Sequence, residues 1–373
     1  MKISRVETIR ISVPLNPQLA IKSGRGGAHV KSPFLLVKIH ADNGLVGLGE
    51  VSCTPRWSGE DQVSAEHFIQ NYFAPVLIDQ ALIDVAEMTR LFWPAVAGNF
   101  FTKAGIEMAL WDLLGKSQGK PVYELLGGKV RSQVMTKWSV SGQPPDKAAE
   151  IARWALAQGF KKIKVKVGID PDGDVQRVAA VRQVVGPEMK LGVDANGGWQ
   201  TAEIAIDTIH RLREFDIYFA EQPVPAGDAG EMARVKRAID IPVIADESIY
   251  TLADAATLVR AKACDVFSIY IGKSGGIGPA LAIAQFADAH NIACTVGSNL
   301  ELGVGSAAMA HLAMACQAIR PEEFPCDIIG PFYYLDRIDR VGIDLQPGLV
   351  RLTEKPGLGV ELDDEKVEAY RVR

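Results

Sequence analysis

The stretch Lys162-Ile163-Lys164-Val165-Lys166-Val167 alternates lysine with an apolar residue, the two-residue period of a β-strand. Lys164 and Lys166 are two positions apart and therefore leave such a strand on the same side. Working downstream, residues 190–194, 217–221, 242–246, 266–271 and 293–297 form further short apolar runs, with a weaker one at 325–328. Amphipathic helical patterns separate them, as at 146–157, 202–215, 228–239 and 278–290. Regular strand–helix alternation implies parallel strands covered by helices. Counting 135–141 and 159–167, the segment has eight strand candidates, enough to close a barrel. An open doubly wound sheet is the competing architecture, but no Gly-x-Gly-x-x-Gly opens its first helix.

The charged residues keep step with this repeat. From Lys166 the intervals to Asp194, Glu221, Asp246 and Lys273 are 28, 27, 25 and 27 residues, about one strand–helix unit each. Each follows or ends a strand candidate, so in a barrel all would project into the mouth where barrel active sites are built. Three carboxylates from adjacent strands, Asp194, Glu221 and Asp246, repel one another unless a cation holds them. Oxygen ligands without histidine or cysteine select Mg²⁺ or Mn²⁺. Lys164 and Lys166, like-charged and partly buried, are expected to favour the neutral amine, which is a competent general base. Lys273 is expected to face them from the opposite side. Together these groups suit removal of a proton from a carbon beside a carboxylate. The cation stabilises charge on the enediolate oxygens, and a lysine accepts the proton.

Upstream of the repeat, residues 1–126 read as an α+β unit. Residues 2–13 form a strand, and 34–40 and 45–50 flank Asp42-Asn43-Gly44, a strong hairpin signal. Helical patterns follow at 64–77, 83–91, 102–114 and 122–126. The barrel is assigned to 127–340, and 341–373 breaks the alternation and is expected to return to the N-terminal unit. Hydrophobic residues make up 48% and charged residues 23%, which suits a globular chain. The net charge of −5 and the lack of a dense basic run point away from nucleic acid. No apolar run is long enough for a membrane span, and residues 1–14 read as a strand rather than a signal peptide. Five cysteines without a Cys-x-x-Cys pair suit buried thiols in a reducing cytoplasm.

In order and spacing, Lys-x-Lys, Asp-x-Asn, Glu-Gln-Pro, Asp-Glu-Ser and Lys-x-Gly-Gly resemble the enolase superfamily, and within it the muconate lactonizing enzyme subgroup. The resemblance covers nearly the whole chain. It implies a modified (β/α)7β TIM barrel with an N-terminal α+β capping domain, a homo-oligomer, and a small carboxylate substrate. It further implies that Asp194, Glu221 and Asp246 bind Mg²⁺, with Glu247 beside them. Lys166 and Lys273 would be the acid/base pair, and Lys164 would lower the pKa of Lys166 and touch the substrate carboxylate. Asn196 would support the ligands, and Glu301 would lie near the substrate. The mandelate racemase subgroup uses a His–Asp dyad, and no histidine stands near residues 297–301. Muconate cycloisomerases carry a Met-Leu-Glu-Gly type segment where this chain has Asn299-Leu300-Glu301-Leu302, so the pocket wall differs.

The resemblance leaves three reactions open on one set of residues: cycloisomerisation of a dicarboxylate, which leads; racemisation or epimerisation of an N-acyl amino acid, dipeptide or betaine; and dehydration of the o-succinylbenzoate synthase type. Two loops bear on the choice. Residues 22–29 carry Lys22, Arg25 and His29 among glycines, and residues 53–59 carry Arg56 and Trp57. Lys22, Arg25 and Arg56 are candidates for a distal carboxylate, and Trp57 for stacking on a ring or cation.

Overall fold

The computed structural model describes residues 1–19, 21–23 and 30–372. Strands β1 (Ile3–Pro14), β2 (Lys31–Ala41) and β3 (Val46–Ser52) form an antiparallel sheet in that order. The β2–β3 turn is the expected hairpin: Gly44 takes φ +85°, and the Leu45 amide donates to the Asn43 side chain. The long helix Phe100–Gln118 lies directly on β3. Gly47 and Gly49 allow that approach, since a Cβ at Gly49 would stand 1.8 Å from the Gly105 carbonyl oxygen. The 64–77 helical pattern is interrupted: Gln62–Phe68 and Ala74–Leu77 are α-helical, with a π turn, Ile69–Phe73, between them.

The second half is the alternating barrel. Strands β5 (Trp138–Val140), β6 (Lys162–Lys166), β7 (Lys190–Asp194), β8 (Ile217–Glu221), β9 (Val243–Ala245), β10 (Val266–Ile269) and β11 (Ala293–Val296) pair in sequence order, all parallel. The 135–141 candidate is divided. Its first part, β4 (Val134–Met135), pairs antiparallel with Leu349–Arg351, and only β5 joins the barrel. The eighth position is filled by residues 325–327, which are not a regular strand. The Cys326 amide donates to the Met135 carbonyl at 3.0 Å, its carbonyl accepts from Lys137 N at 3.1 Å, and Asp327 N donates to the Val296 carbonyl at 2.8 Å. These bonds join the two free edges of the sheet. At the chain's end, Val372 N donates to the Arg10 carbonyl, and Tyr370 accepts from Ser12 N. Among the described residues no helix is long and apolar enough to cross a membrane.

Buried carboxylates fasten the capping domain to the barrel. Glu50 of β3 accepts from the Leu302 and Gly305 amides at 2.7 and 2.9 Å, at the start of helix Gly303–Ala315. Glu107 accepts from the Ile277 and Gly278 amides at the start of helix Ile277–Ala289. Each supplies an acceptor to helix N–H groups that have no partner within their own helix. Burial pushes Glu50 up to about 8 and Glu107 up to about 7, although the amide donors pull the other way.

In the unfolded chain both acids titrate near 4.5, so at higher pH the folded chain holds protons that the unfolded chain has lost. Stability therefore falls as pH rises toward 8. His311 has the opposite sign: burial lowers it to about 4 from 6.5, and its stabilising gain is complete above that value. In a chelating buffer, the melting temperature is expected to drop between pH 6.5 and pH 8. A scanning calorimetry series with a level or rising melting temperature would exclude this account.

Candidate functional site

The barrel register brings the charged residues together. Lys166 lies opposite Asp194 in the β6–β7 pair, and Asp194 opposite Glu221 in the β7–β8 pair. Asp246 stands one residue past β9, and Lys273 lies in the short helix Ile271–Ser274 after β10. All of these except Lys166 are buried, and Lys166 is half-buried at the mouth.

Lys164 Nζ sits among three carboxylates: Glu221 Oε2 at 3.0 Å, Asp194 Oδ2 at 3.1 Å and Asp327 Oδ2 at 2.9 Å. Burial alone would lower its pKa, but Asp327, Glu221 and Asp194 outweigh it and raise the pKa well above the ordinary lysine value. The strand places Lys164 against these acids more closely than against Lys166. Burial likewise opposes the charge on Asp194, yet Lys166 and Lys164 hold its carboxyl well below the usual range. Glu221 has Lys164 but not Lys166 as a partner, and there burial wins, raising it to about 8.

Lys166 Nζ donates to Asp194 Oδ2 at 2.7 Å and Asn196 Oδ1 at 2.9 Å. Asn196 in turn donates through Nδ2 to Glu247 Oε1 at 2.9 Å. Asn196 and Glu247 thus lie behind Lys166 as a connected support. Asp246 accepts from Lys273 Nζ at 2.6 Å and from the Tyr270 hydroxyl at 3.0 Å.

The donor chemistry suits a hard divalent ion: three buried carboxylates, no histidine and no thiol. Asp194 Oδ2 and Glu221 Oε2 both aim at one cationic point, now the ammonium of Lys164. Asp246 is drawn aside by Lys273 and Tyr270. Accordingly, among the described residues no three His, Cys, Asp or Glu side chains stand close enough to share an ion. The fit to a cation rests on the converging pair.

A cavity of about 570 Å³ opens above these groups, between the barrel mouth and the capping domain. Lys164, Lys166, Asn196, Tyr270 and Asp327 line its floor, and Lys31 and Arg56 its rim. Neither Lys31 nor Arg56 has an acidic partner among the described residues. Trp57 also lines it, stacked on Tyr270 with ring centroids 5.3 Å apart.

Three of the expected residues do not line this cavity. Lys22 is exposed outside the cavity lining, and its backbone amide is fixed to Ser141 Oγ at 2.7 Å. Glu301 does not line the cavity either. It turns back to accept from the Ser298 hydroxyl and the Asn299 amide, so that Ser298 and Asn299 form the wall in its place. Lys273 is fully buried and outside the lining, because the chain turns helical after Tyr270. Arg25 and His29 fall outside the described residues. Sequence reasoning missed Asp327 and Tyr270. Asp327 had a usable signal, as an acid in the last strand candidate.

The N-terminal domain model of mandelate racemase/muconate lactonizing enzymes matches residues 5–127, and the enolase C-terminal domain-like model matches residues 146–367. The chain belongs to the mandelate racemase/muconate lactonizing enzyme family. Within this family, the N-succinyl-L-Arg/Lys racemase of Bacillus cereus is 30% identical, over 100% of this chain and 98% of its own. Its crystal structure superposes with a TM-score of 0.94, covering 100% of this chain and 99% of that one. A dipeptide epimerase from Cytophaga hutchinsonii, solved with Mg and D-Ala-L-Val, is 32% identical over 99% of this chain and 98% of that one, with a TM-score of 0.93. The chloromuconate cycloisomerase of Delftia acidovorans is 32% identical over 99% of both chains. These family members are isomerases of different kinds at nearly equal distance from this chain, so overall identity does not separate racemase from cycloisomerase.

Proposed function

We propose that this protein is a divalent-metal-dependent isomerase that takes the proton α to the carboxylate of a small dicarboxylic acid, with Lys166 as the base. The observation that carries the reading is Lys166 itself: an amine at the cavity floor, held by Asp194 and Asn196, beside a converging carboxylate pair. Asp194, Glu221 and Asp246 would hold Mg²⁺ or Mn²⁺. When bound, the ion supplies positive charge for the substrate carboxylate as it gains enediolate character. Lys166 Nζ takes the proton from Cα, and the C–H electron pair passes into the enediolate. Lys164 carries a fixed positive charge at the floor, which favours a carboxylate there. Asn196 and Glu247 keep Lys166 oriented.

The cations Lys31 and Arg56 at the rim, which have no acidic partner among the described residues, support a second carboxylate on the substrate. A cycloisomerase acting on a muconate-like acid is therefore the leading reading; there one carboxylate oxygen adds to the far alkene carbon, the alkene electron pair enters the enediolate, and Lys166 delivers a proton to Cα, the reverse of the abstraction above. The same cations suit an N-succinyl amino acid, the substrate type named for the Bacillus cereus relative, and this gives the second reading, racemisation. Proton NMR of cis,cis-muconate and N-succinyl amino acids in D₂O with Mg²⁺ distinguishes them. A lactone carrying one deuterium supports the first. Deuterium at an inverted α-carbon supports the second. The metal assignment has its own test: Glu221→Gln is expected to weaken Mg²⁺ binding measured by calorimetry, and undiminished affinity would count against it.

A further inference from the structure

Pro55–Ser58 is a single helical turn of the capping domain, and none of its side chains is buried. It nevertheless carries Arg56 and Trp57 into the cavity lining. One turn cannot hold its own shape, because its few hydrogen bonds do not offset the cost of ordering it. Its place is set by what ties it down. On one side, Asn299 Nδ2 of the barrel donates to Thr54 Oγ1 at 3.1 Å. In the middle, Trp57 stacks on Tyr270 and meets Phe101 edge-on, with ring centroids 5.9 Å apart. On the other side lies Glu60, which is buried and outside the cavity lining.

Glu60 reaches 41 residues along the chain to the start of helix Phe100–Gln118. Its Oε1 accepts from the Phe101 amide at 3.0 Å, and its Oε2 from the Thr102 amide at 2.8 Å and the Thr102 hydroxyl at 2.6 Å. Asn99, at the position that ordinarily caps such a helix, sits at φ +53° and donates its side chain to the Ala97 carbonyl, giving no cap. Glu60 takes over that task. It supplies acceptors to amides that have no partner within the helix, at the end where negative charge is favoured. The helix is itself held by both domains, through its packing on β3 and through Glu107 at helix Ile277–Ala289. Between the turn and Glu60, Gly59 takes φ +78° and has open space where a Cβ would stand, so the turn gains no packing there.

We infer that Glu60 is a positioning residue for the far end of the substrate: by capping helix Phe100–Gln118 it sets where Arg56 stands on the rim. This rests on the reading of the rim cations as partners of a second carboxylate. Glu60 does not touch the substrate. Without its carboxylate the turn is released at one end, and a contact to Arg56 must first order the side chain that makes it. Selectivity for the second carboxylate is then lost, while contacts to the first, at the barrel mouth, remain.

Adipate and hexanoate have the same chain length and differ by the second carboxylate. Their binding to the full chain with MgCl₂ is measured by calorimetry. The parent is expected to bind adipate at least about fivefold more tightly, the upper range for an ion pair at an accessible rim. Arg56→Ala should abolish that ratio, and Glu60→Ala should abolish it likewise. The double variant should lose no more than either single one, because both act on one contact. Glu60→Gln, which keeps one oxygen for the helix amides, should lose part of the ratio and serves if Glu60→Ala does not fold. A purely structural role would weaken both acids equally. An unchanged ratio in the folded Glu60 variants therefore overturns the proposal, as does a ratio that Lys31→Ala abolishes and Arg56→Ala does not. Equal binding of the two acids by the parent chain would instead defeat the reading of the rim, so the two failures are distinguishable.

Discussion

Lys166→Ala is expected to slow α-hydrogen exchange by about 10²–10⁴-fold, the usual contribution of a positioned general base. The side chain is half-buried at the mouth, and among the described barrel residues it is the lysine at the cavity with the greatest exposure. Lys164 lies deeper, against Asp327 as well as Asp194 and Glu221, and Lys273 is fully buried outside the cavity lining. Lys166→Arg should not restore the rate, because a guanidinium stays protonated and cannot accept the proton. Washout of the α-proton signal in D₂O, followed by NMR on the substrate that responds, measures the effect directly. A variant that exchanges at the parent rate would exclude Lys166 as the base.

Asp327→Ala is expected to destabilise the fold by about 3–5 kcal/mol, the cost of removing one partner from a buried ion pair. Asp327 Oδ1 lies 3.1 Å from Lys137 Nζ, and Oδ2 lies 2.9 Å from Lys164 Nζ. Both lysines are buried, so water cannot replace the lost charge. Lys164 retains Asp194 and Glu221, whereas Lys137 is left with only the Pro325 carbonyl. The urea midpoint should therefore move clearly downward. Lys137→Met in the Asp327→Ala background should recover part of the loss, since an apolar pair of similar volume no longer leaves a buried charge. An unchanged midpoint for Asp327→Ala would exclude this account.

Much of the fold was legible because each strand–helix unit repeats at nearly constant length, carrying one charged residue to the same end. The Asn-Gly hairpin was equally plain, since its turn geometry needs a residue that accepts positive φ. Residues 325–327 were faint for a physical reason: they bridge two edges by isolated bonds and need no regular apolar alternation. The site was legible wherever a side chain ended a strand. Alternation fixes the side of Lys164 and Lys166, and it would have fixed Tyr270, two residues after Ser268. It cannot fix Lys273, which follows a change to helical geometry and loses the two-residue phase. The direction of Glu301 was hidden for a similar reason: its loop folds back on itself, with Leu300 at φ +61°.

Three main-chain bonds at residues 325–327 close the barrel, and Asp327 projects from that join toward the ammonium groups of Lys137 and Lys164. Assembly and competence are therefore inspected at the same place. A chain that leaves this seam open separates Lys137 from its acidic partner and takes one of three from Lys164, so the open seam costs more than its lost main-chain bonds.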